Sequence, residues 1–434
     1  MQSSTALRND LPAHSQGRPL VERNSASRRR TEHVYTLTTG TDKPWAILTV
    51  FSRARESSQL PSIFEDDELS GTFKLELERE DTIKSVNAIV VGQLTTSATD
   101  AYTFLQIHKE LWSVSRGEPP ILPSNNAATS TFNGKLRGIF RWPFSFTLPA
   151  NVSIKTPQGR AESFRVPPSF SERMSRVHIQ YQLIVQIRRG KFRIDSQVST
   201  VFGFTPLTYP GPFSLARQLA YLERRPLSGP DTDRAGWLTL AAVQVKGRVF
   251  SAREVTATCQ LSLALPLCYT RGSVLPCSLR IQCTDTQALD LLSMPRSIDL
   301  KQDIHLRDVI RTNRDGCEVH LPRDLKPTCH IGKFILHYSL AFYTFSTLAF
   351  SPKADDPLLL QTQQVEIVTA FAPGPKPLGL YALLNASKFA SRCKNAADGV
   401  EDRGKYTQCL GLQEKRKYKT AVHEFSLTLP RFSL

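Results

Sequence analysis

The chain is predicted to be all-β, and three observations carry that prediction. In Val177–Ile187 (VHIQYQLIVQI), Val177, Ile179, Tyr181, Leu183, Val185 and Ile187 are apolar, and four of the five residues between them are polar. Successive side chains of an extended strand point to opposite faces, so this rhythm puts one face in a core and the other in water. The rhythm returns at Val255–Leu265 and again from Phe334, with Phe334, Leu336, Tyr338, Leu340 and Phe342 on one face. The 28 prolines outnumber the 22 glycines and helix-forming runs are scarce, which suits many short strands joined by turns.

The elements follow in order. Residues 1–33 are polar, basic and short of large apolar groups, and a disordered arm is expected over 1–40. Trp45–Val50 reads as a strand and Ser52–Ser62 as a polar loop. Phe73–Glu78 alternates, and Ile83–Val91 reads as a further strand ended by Gly92. Residues 116–138 form a long loop rich in Pro, Asn, Ser and Gly. WPFSFTLP (142–149) is a strand with Phe144, Phe146 and Leu148 on one face, and Arg189-Gly190-Lys191 is a hairpin turn from which Phe192–Phe204 returns. These strands make a first β-unit over residues 41–205.

Residues 206–235 are rich in Pro and Gly and read as a linker, with one short helix around Leu215–Arg224. A second β-unit spans 236–377, with strands at Val255–Leu265, Leu279–Cys283, Ile298–Ile310, His330–Phe350 and Leu360–Phe371. Residues 378–434 are polar and basic and read as a flexible tail. At 434 residues, the chain is long enough for each unit to bury its own core.

The net charge is +16, concentrated in the N-terminal arm, in residues 165–193 and in the tail. Arg188, Arg189, Lys191 and Arg193 at the hairpin tip, and Lys415, Arg416, Lys417 and Lys419 in the tail, are the candidate sites for an anionic partner. The competing reading is a solvated face that serves solubility. Nucleic acid is not expected as a partner: the chain has no interleaved aromatic platform and no zinc-finger or RNP motif.

No catalytic set is visible. The sequence lacks a GxSxG elbow, a P-loop, an HExxH motif and an EF-hand loop, so no catalytic residue, metal or cofactor is expected. His178 and His337 read as structural histidines, Cys329-His330 is an isolated pair, and the acidic run Glu65-Asp66-Asp67-Glu68 reads as a solvated loop in preference to a cation site. None of the eight cysteines forms a CxxC pair. Residues 1–30 lack the apolar core of a secretory signal, so reduced thiols and a cytoplasmic location are expected. Cys259 shares a face with Val255, Ala257, Leu261 and Leu263 and reads as a small buried hydrophobe. Phe334–Pro352 has no Lys, Arg, Asp or Glu, but it alternates as one or two strands and does not read as a spanning helix.

Five segments resemble a known family in order and spacing. WPFSFTLP (142–149), VPPSFSER (166–173), VHIQYQLIVQIRRG (177–190), GWL (236–238) and LPLCYTRGSVLPC (265–277) are similar to fungal arrestin-related proteins of the α-arrestin branch, the last two to basidiomycete-type members. The residues that carry the likeness are Trp142, Pro143, Phe144, Pro149, Pro167, Pro168, Phe170, Tyr181 and Trp237, and it covers residues 45 to 372. The resemblance implies two immunoglobulin-like β-sandwich lobes in tandem, joined by a hinge. It also implies a non-catalytic cytoplasmic adaptor, peripheral at the plasma membrane or endosome. Such adaptors bind the cytosolic tails of membrane cargo and recruit a ubiquitin ligase through PPxY motifs that dock in WW domains.

The sequence departs from that pattern in two places. It contains no PPxY; the nearest segments are Pro119-Pro120-Ile121-Leu122, Pro167-Pro168-Ser169-Phe170 and Leu207-Thr208-Tyr209. The strand Ile194–Phe202 has no arginine, where receptor-regulating arrestins place a phosphate-sensing one. The alternative expectation is a peripheral membrane or scaffold protein that binds anionic lipid or phosphorylated partners through its basic surfaces, without a ligase.

Overall fold

The computed structural model describes residues 30–38, 43–97, 100–119, 132–155, 159–172, 175–190, 193–293, 317–332, 334–344, 350–353, 357 and 359–377. Its architecture is all-β, built from mostly antiparallel sheets around two hydrophobic cores. The first half contains β1 (Thr31–Thr38), β2 (Pro44–Ser52), β3 (Ser62–Phe64), β4 (Glu68–Asp81), β5 (Ile83–Ser97) and β6 (Asp100–Ser113). It continues through β7 (Leu136–Thr147), β8 (Asn151–Lys155), β9 (Ala161–Arg165), β10 (Phe170–Ser171), β11 (His178–Arg189) and β12 (Ser196–Thr205).

One sheet has the order β1-β2-β4-β7, and the facing sheet has the order β3-β12-β11-β5-β6, with β10 paired to β11. Their inner faces share one core: Leu48, Phe73, Trp142 and Phe144 from the first sheet meet Val86, Val90, Leu183 and Phe202 from the second. The alternation read from the sequence is the alternation of burial. Ile179, Tyr181, Leu183, Val185 and Ile187 are buried on β11, and Trp142, Phe144 and Phe146 on β7.

Two expectations for this half need correction. Residues 31–38 belong to β1 and pair with β2 from Thr31↔Ser52 to Leu37↔Ala46, so the N-terminal arm cannot extend to residue 40. The inward face of β1 is His33, Tyr35 and Leu37, and the polar imidazole hides the apolar rhythm. His33 is buried, with Nε2 2.8 Å from Ser52 Oγ and Nδ1 3.2 Å from the Ser57 carbonyl. Gly92 does not end β5. It lies within the strand, where a Cβ would come 2.8 Å from the Phe104 ring, so glycine there admits an aromatic side chain from β6.

A connection carrying α1 (Leu215–Leu222) leads to the second half. That half holds β13 (Trp237–Thr239), β14 (Val243–Val249), β15 (Arg253–Ala264), β16 (Cys268–Thr270), β17 (Val274–Cys283), α2 (Thr286–Ser293) and β18 (Cys317–His320). It ends with β19 (Cys329–Ile331), β20 (Phe334–Leu336), β21 (Tyr338–Tyr343), β22 (Phe350–Pro352) and β23 (Leu359–Val368). The main sheet runs β18-β17-β15-β14-β22, with β13 on β15, and a smaller one runs β16-β23-β21. Val245, Ala257, Cys259, Leu261, Leu275, Leu340 and Val365 form the second core. Cys259 is fully buried there, as its sequence neighbours indicated. The strand expected at Ile298–Ile310 lies outside the described residues.

The segment Cys329–Tyr343 serves both cores. Ile331, Phe334 and Leu336 are buried in the first, while Leu340 and Phe342, on the same alternating face, are buried in the second. Tyr338 lies between and packs against both. Apolar burial of this kind is worth about 1.5–3 kcal/mol per large side chain. A stretch from the second half of the chain therefore stabilises the first core directly.

Candidate functional site: the hairpin tip and the seam between the cores

The predicted anion-binding residues at the β11–β12 hairpin divide into two kinds. β4 ends at Asp81 and β5 begins at Ile83, and this corner lies against Arg189-Gly190, whose Gly190 N–H donates to the Thr82 carbonyl at 3.0 Å. The Asp81 carboxylate is buried and faces two guanidinium groups. Arg193 Nη1 donates to Oδ1 at 2.9 Å, and Arg189 Nε lies 3.6 Å from Oδ2. The Arg189 guanidinium also sits over the Trp45 ring, 4.7 Å from its centroid, and its backbone N–H donates to Asp195 Oδ1 at 2.8 Å. Two of the four cations are thus held by an internal carboxylate.

A buried carboxylate needs paired charge to offset its lost hydration, and the arginines supply it. The single carboxylate offsets one of their two positive charges, which lowers the field the tip offers to an outside anion. Arg188, by contrast, points to solvent. Lys191 lies outside the described residues, as do Lys415, Arg416, Lys417 and Lys419 of the tail. Sequence reasoning did not single out Asp81, because it closes the acidic stretch Glu76, Glu78, Glu80, Asp81 and nothing local marks which of these acids the fold buries beside the hairpin.

Of the residues that carried the family likeness, Trp142, Phe144, Phe170 and Tyr181 belong to the first core, and Trp237 lies on β13 in the second half. Trp142 stacks with Phe73 and Phe140 at centroid distances of 6.1 and 5.9 Å. Pro143 and Pro149 are exposed, and Phe144 is buried. Tyr181 is fully buried among Phe104, Phe202 and Phe204, and its hydroxyl donates to the Pro167 carbonyl at 2.5 Å. Burial pushes the phenol pKa well above its ordinary value.

Pro167 and Pro168 are buried, and the turn they form is tied to β12: Ser169 N–H donates to the Phe204 carbonyl at 2.9 Å, and Phe204 N–H to Ser169 Oγ at 2.8 Å. This Pro-Pro segment is therefore part of the core wall and is closed to an external groove. Phe170 reaches Phe334 at a centroid distance of 5.2 Å, and Phe164 meets His330 edge-on at 5.1 Å. The Cys329-His330 pair thus belongs to the seam between the cores, where burial raises the Cys329 thiol to about 12. Trp237 is buried, and its indole N–H donates to the Ser228 carbonyl at 2.8 Å.

Within the acidic run at 65–68, Glu65 and Asp67 make structural bonds, while Asp66 and Glu68 are exposed. Glu65 Oε2 accepts from the Leu207 N–H at 2.7 Å and from Arg165 Nη2 at 2.5 Å. Asp67 pairs with Arg53, and its other oxygen accepts from the Phe64 N–H at 3.2 Å. Glu65 pins the start of the interhalf connection, and one residue later Thr208 bonds to Thr369 just past β23. Neither the Glu65 link nor the threonine pair had a sequence signal, since both depend on partners more than 140 residues apart.

Cys259, Cys268, Cys277, Cys283 and Cys329 take part in no disulfide. Among the described residues, no helix is long and apolar enough to cross a membrane. No protein-family model matches the chain, and no curated protein matches it.

Proposed function

We propose that the chain is a non-catalytic adaptor of the arrestin-related type, with two immunoglobulin-like β-sandwich lobes in tandem. In this reading it links the cytosolic tails of membrane proteins to the endocytic and ubiquitination machinery. The observation that carries the proposal is how the family-like segments are used. WPFSFTLP supplies the inner face of β7, VPPSF forms a buried turn, and VHIQYQLIVQIRRG forms the central strand β11. All three serve one β-sheet core, which is the use that the resemblance implies for them and the support for this reading.

The residues with unusual chemistry support a scaffold role. Tyr181, Cys329, Asp81 and Glu65 are each engaged in packing or internal hydrogen bonds. A rigid double sandwich offers extended faces for docking, and function then resides in which surfaces are left open. With the Pro167-Pro168 turn sealed into the core and no PPxY in the sequence, a ligase would be recruited through a folded surface or a second protein.

The test is capture with chemical crosslinking, using tagged full-length protein in its native cells and identifying partners by mass spectrometry. Crosslinks to cytosolic segments of membrane transporters or receptors, with ubiquitin-ligase components in the same assemblies, are expected. A partner set free of membrane proteins and trafficking components would overturn the proposal.

A further inference from the structure

Helix α1 (Leu215–Leu222) is turned inside out. Its buried residues are Arg217, Ala220 and Tyr221, whereas Leu215, Leu219 and Leu222 are 77 %, 53 % and 70 % exposed. At about 100° per residue the three leucines fall within an arc of about 60° on one side, opposite the buried face. An amphipathic helix on a globular protein ordinarily turns its apolar stripe inward. Here the charged side chain faces in and the stripe faces water.

The orientation is fixed by the inward face. Arg217 Nε donates to the Tyr221 hydroxyl at 3.0 Å and Nη1 to the Leu265 carbonyl at 2.8 Å, while its guanidinium lies 4.2 Å from the Phe213 ring centroid. At the N-terminus Ser214 Oγ accepts from the Arg217 N–H at 3.2 Å and donates to Asp233 Oδ2 at 2.6 Å. Rolling the leucines inward would break all of these, so the stripe is held outward.

The C-terminus places cations beside the stripe. Arg225 N–H donates to the Ala220 carbonyl at 2.8 Å and Arg224 N–H to the Tyr221 carbonyl at 3.4 Å, a Schellman closure. Its left-handed position, ordinarily glycine, is occupied by Arg224 at φ +54°. Arg224 and Arg225 are exposed; Arg225 Nε lies 3.3 Å from Glu223, which leaves a net positive charge at the helix end. Three leucines on a helix roughly 12 Å long cover much less than the ~800 Å² per partner that a stable protein interface buries. They suit shallow insertion into a bilayer, where flanking arginines meet anionic headgroups.

We infer that α1 is a membrane-docking element: Leu215, Leu219 and Leu222 enter the interfacial region of an anionic bilayer while Arg224 and Arg225 contact its headgroup phosphates. This inference is independent of the adaptor reading.

The test is co-sedimentation of the full chain with vesicles of phosphatidylcholine alone or with 30 % phosphatidylserine. The wild type should bind the anionic vesicles and bind the neutral ones weakly. Replacing Leu215, Leu219 and Leu222 together by Ser should weaken binding at least tenfold without lowering the thermal midpoint, because the three side chains lie on the surface. Arg224→Gly should weaken binding several-fold while holding or raising the midpoint, since glycine suits the left-handed site. Unchanged binding by the triple variant, or loss of binding only when the tail cations 415–419 are neutralised, would overturn the inference. So would light scattering that shows the leucines holding a dimer with no effect on vesicle binding.

Discussion

Thr208 and Thr369 cap each other across 161 residues of chain. The Thr208 N–H donates to Thr369 Oγ1 at 2.9 Å and the Thr369 N–H to Thr208 Oγ1 at 3.2 Å, while the Thr369 hydroxyl also donates to the Pro206 carbonyl at 2.7 Å. The pair fastens the exit of the first half to the end of β23, so the last strand of the second half is tied to the start of the connection. A double-mutant cycle with Thr208→Ala and Thr369→Ala should return a coupling energy of about 1 kcal/mol, because each hydroxyl satisfies the other residue's backbone donor. Additive losses in urea unfolding would mean that the two ends are held independently.

The Asp81 cluster links stability to charge display at the hairpin tip. Asp81→Asn should destabilise the protein by about 1–3 kcal/mol, less than a fully buried pair would cost, because Arg193 can turn its half-exposed side chain to water. It should also free Arg189 and Arg193 and raise the salt concentration needed to elute the chain from an anionic resin. Unchanged elution would show that the two guanidinium groups stay sequestered without the carboxylate.

Alkaline pH should expose the buried thiol and phenols. Burial raises Cys329 to about 12 and Cys268, helped by nearby Glu366, to about 12, and it also raises Tyr181, Tyr269 and Tyr338. The unfolded chain loses these protons first, so their contribution to stability is complete below about pH 9 and falls as pH rises toward about 12. Urea unfolding across this range should show a falling stability. Cys329→Ala should flatten the fall by up to about 1.4 kcal/mol per pH unit. The same slope in wild type and variant would remove Cys329 from the account.

The two-faced strands were legible because their burial follows a local period. β11, β7 and β15 show it in single residues, as Tyr181, Trp142 and Cys259 all lie inside. β1 was illegible because its inward face opens with His33, whose burial depends on Ser52 and Ser57. The helix at 215–222 was legible as a helix, but its outward leucines were not. Which way a short helix turns is decided by Arg217 meeting the Leu265 carbonyl, a partner 48 residues away that has no local pattern. The four hairpin-tip cations were visible as a group, but the partner that holds two of them, Asp81, was not. Likewise the run Phe334–Phe342 reads as one apolar face, and its division between two cores follows from tertiary placement.

That division is tested most directly at Phe334. Its ring packs with Phe170 and sits in the first core, although it is carried by the second half of the chain. Phe334→Ala should cost about 3–5 kcal/mol. The measurement is hydrogen exchange of the full-length variant against wild type. Exchange should quicken at least tenfold in the first half, at Tyr181–Val185 of β11 and at Phe202–Phe204 of β12, as well as around the mutation. Faster exchange confined to residues beyond Trp237, with β11 and β12 unchanged, would contradict the account of one segment supporting both cores.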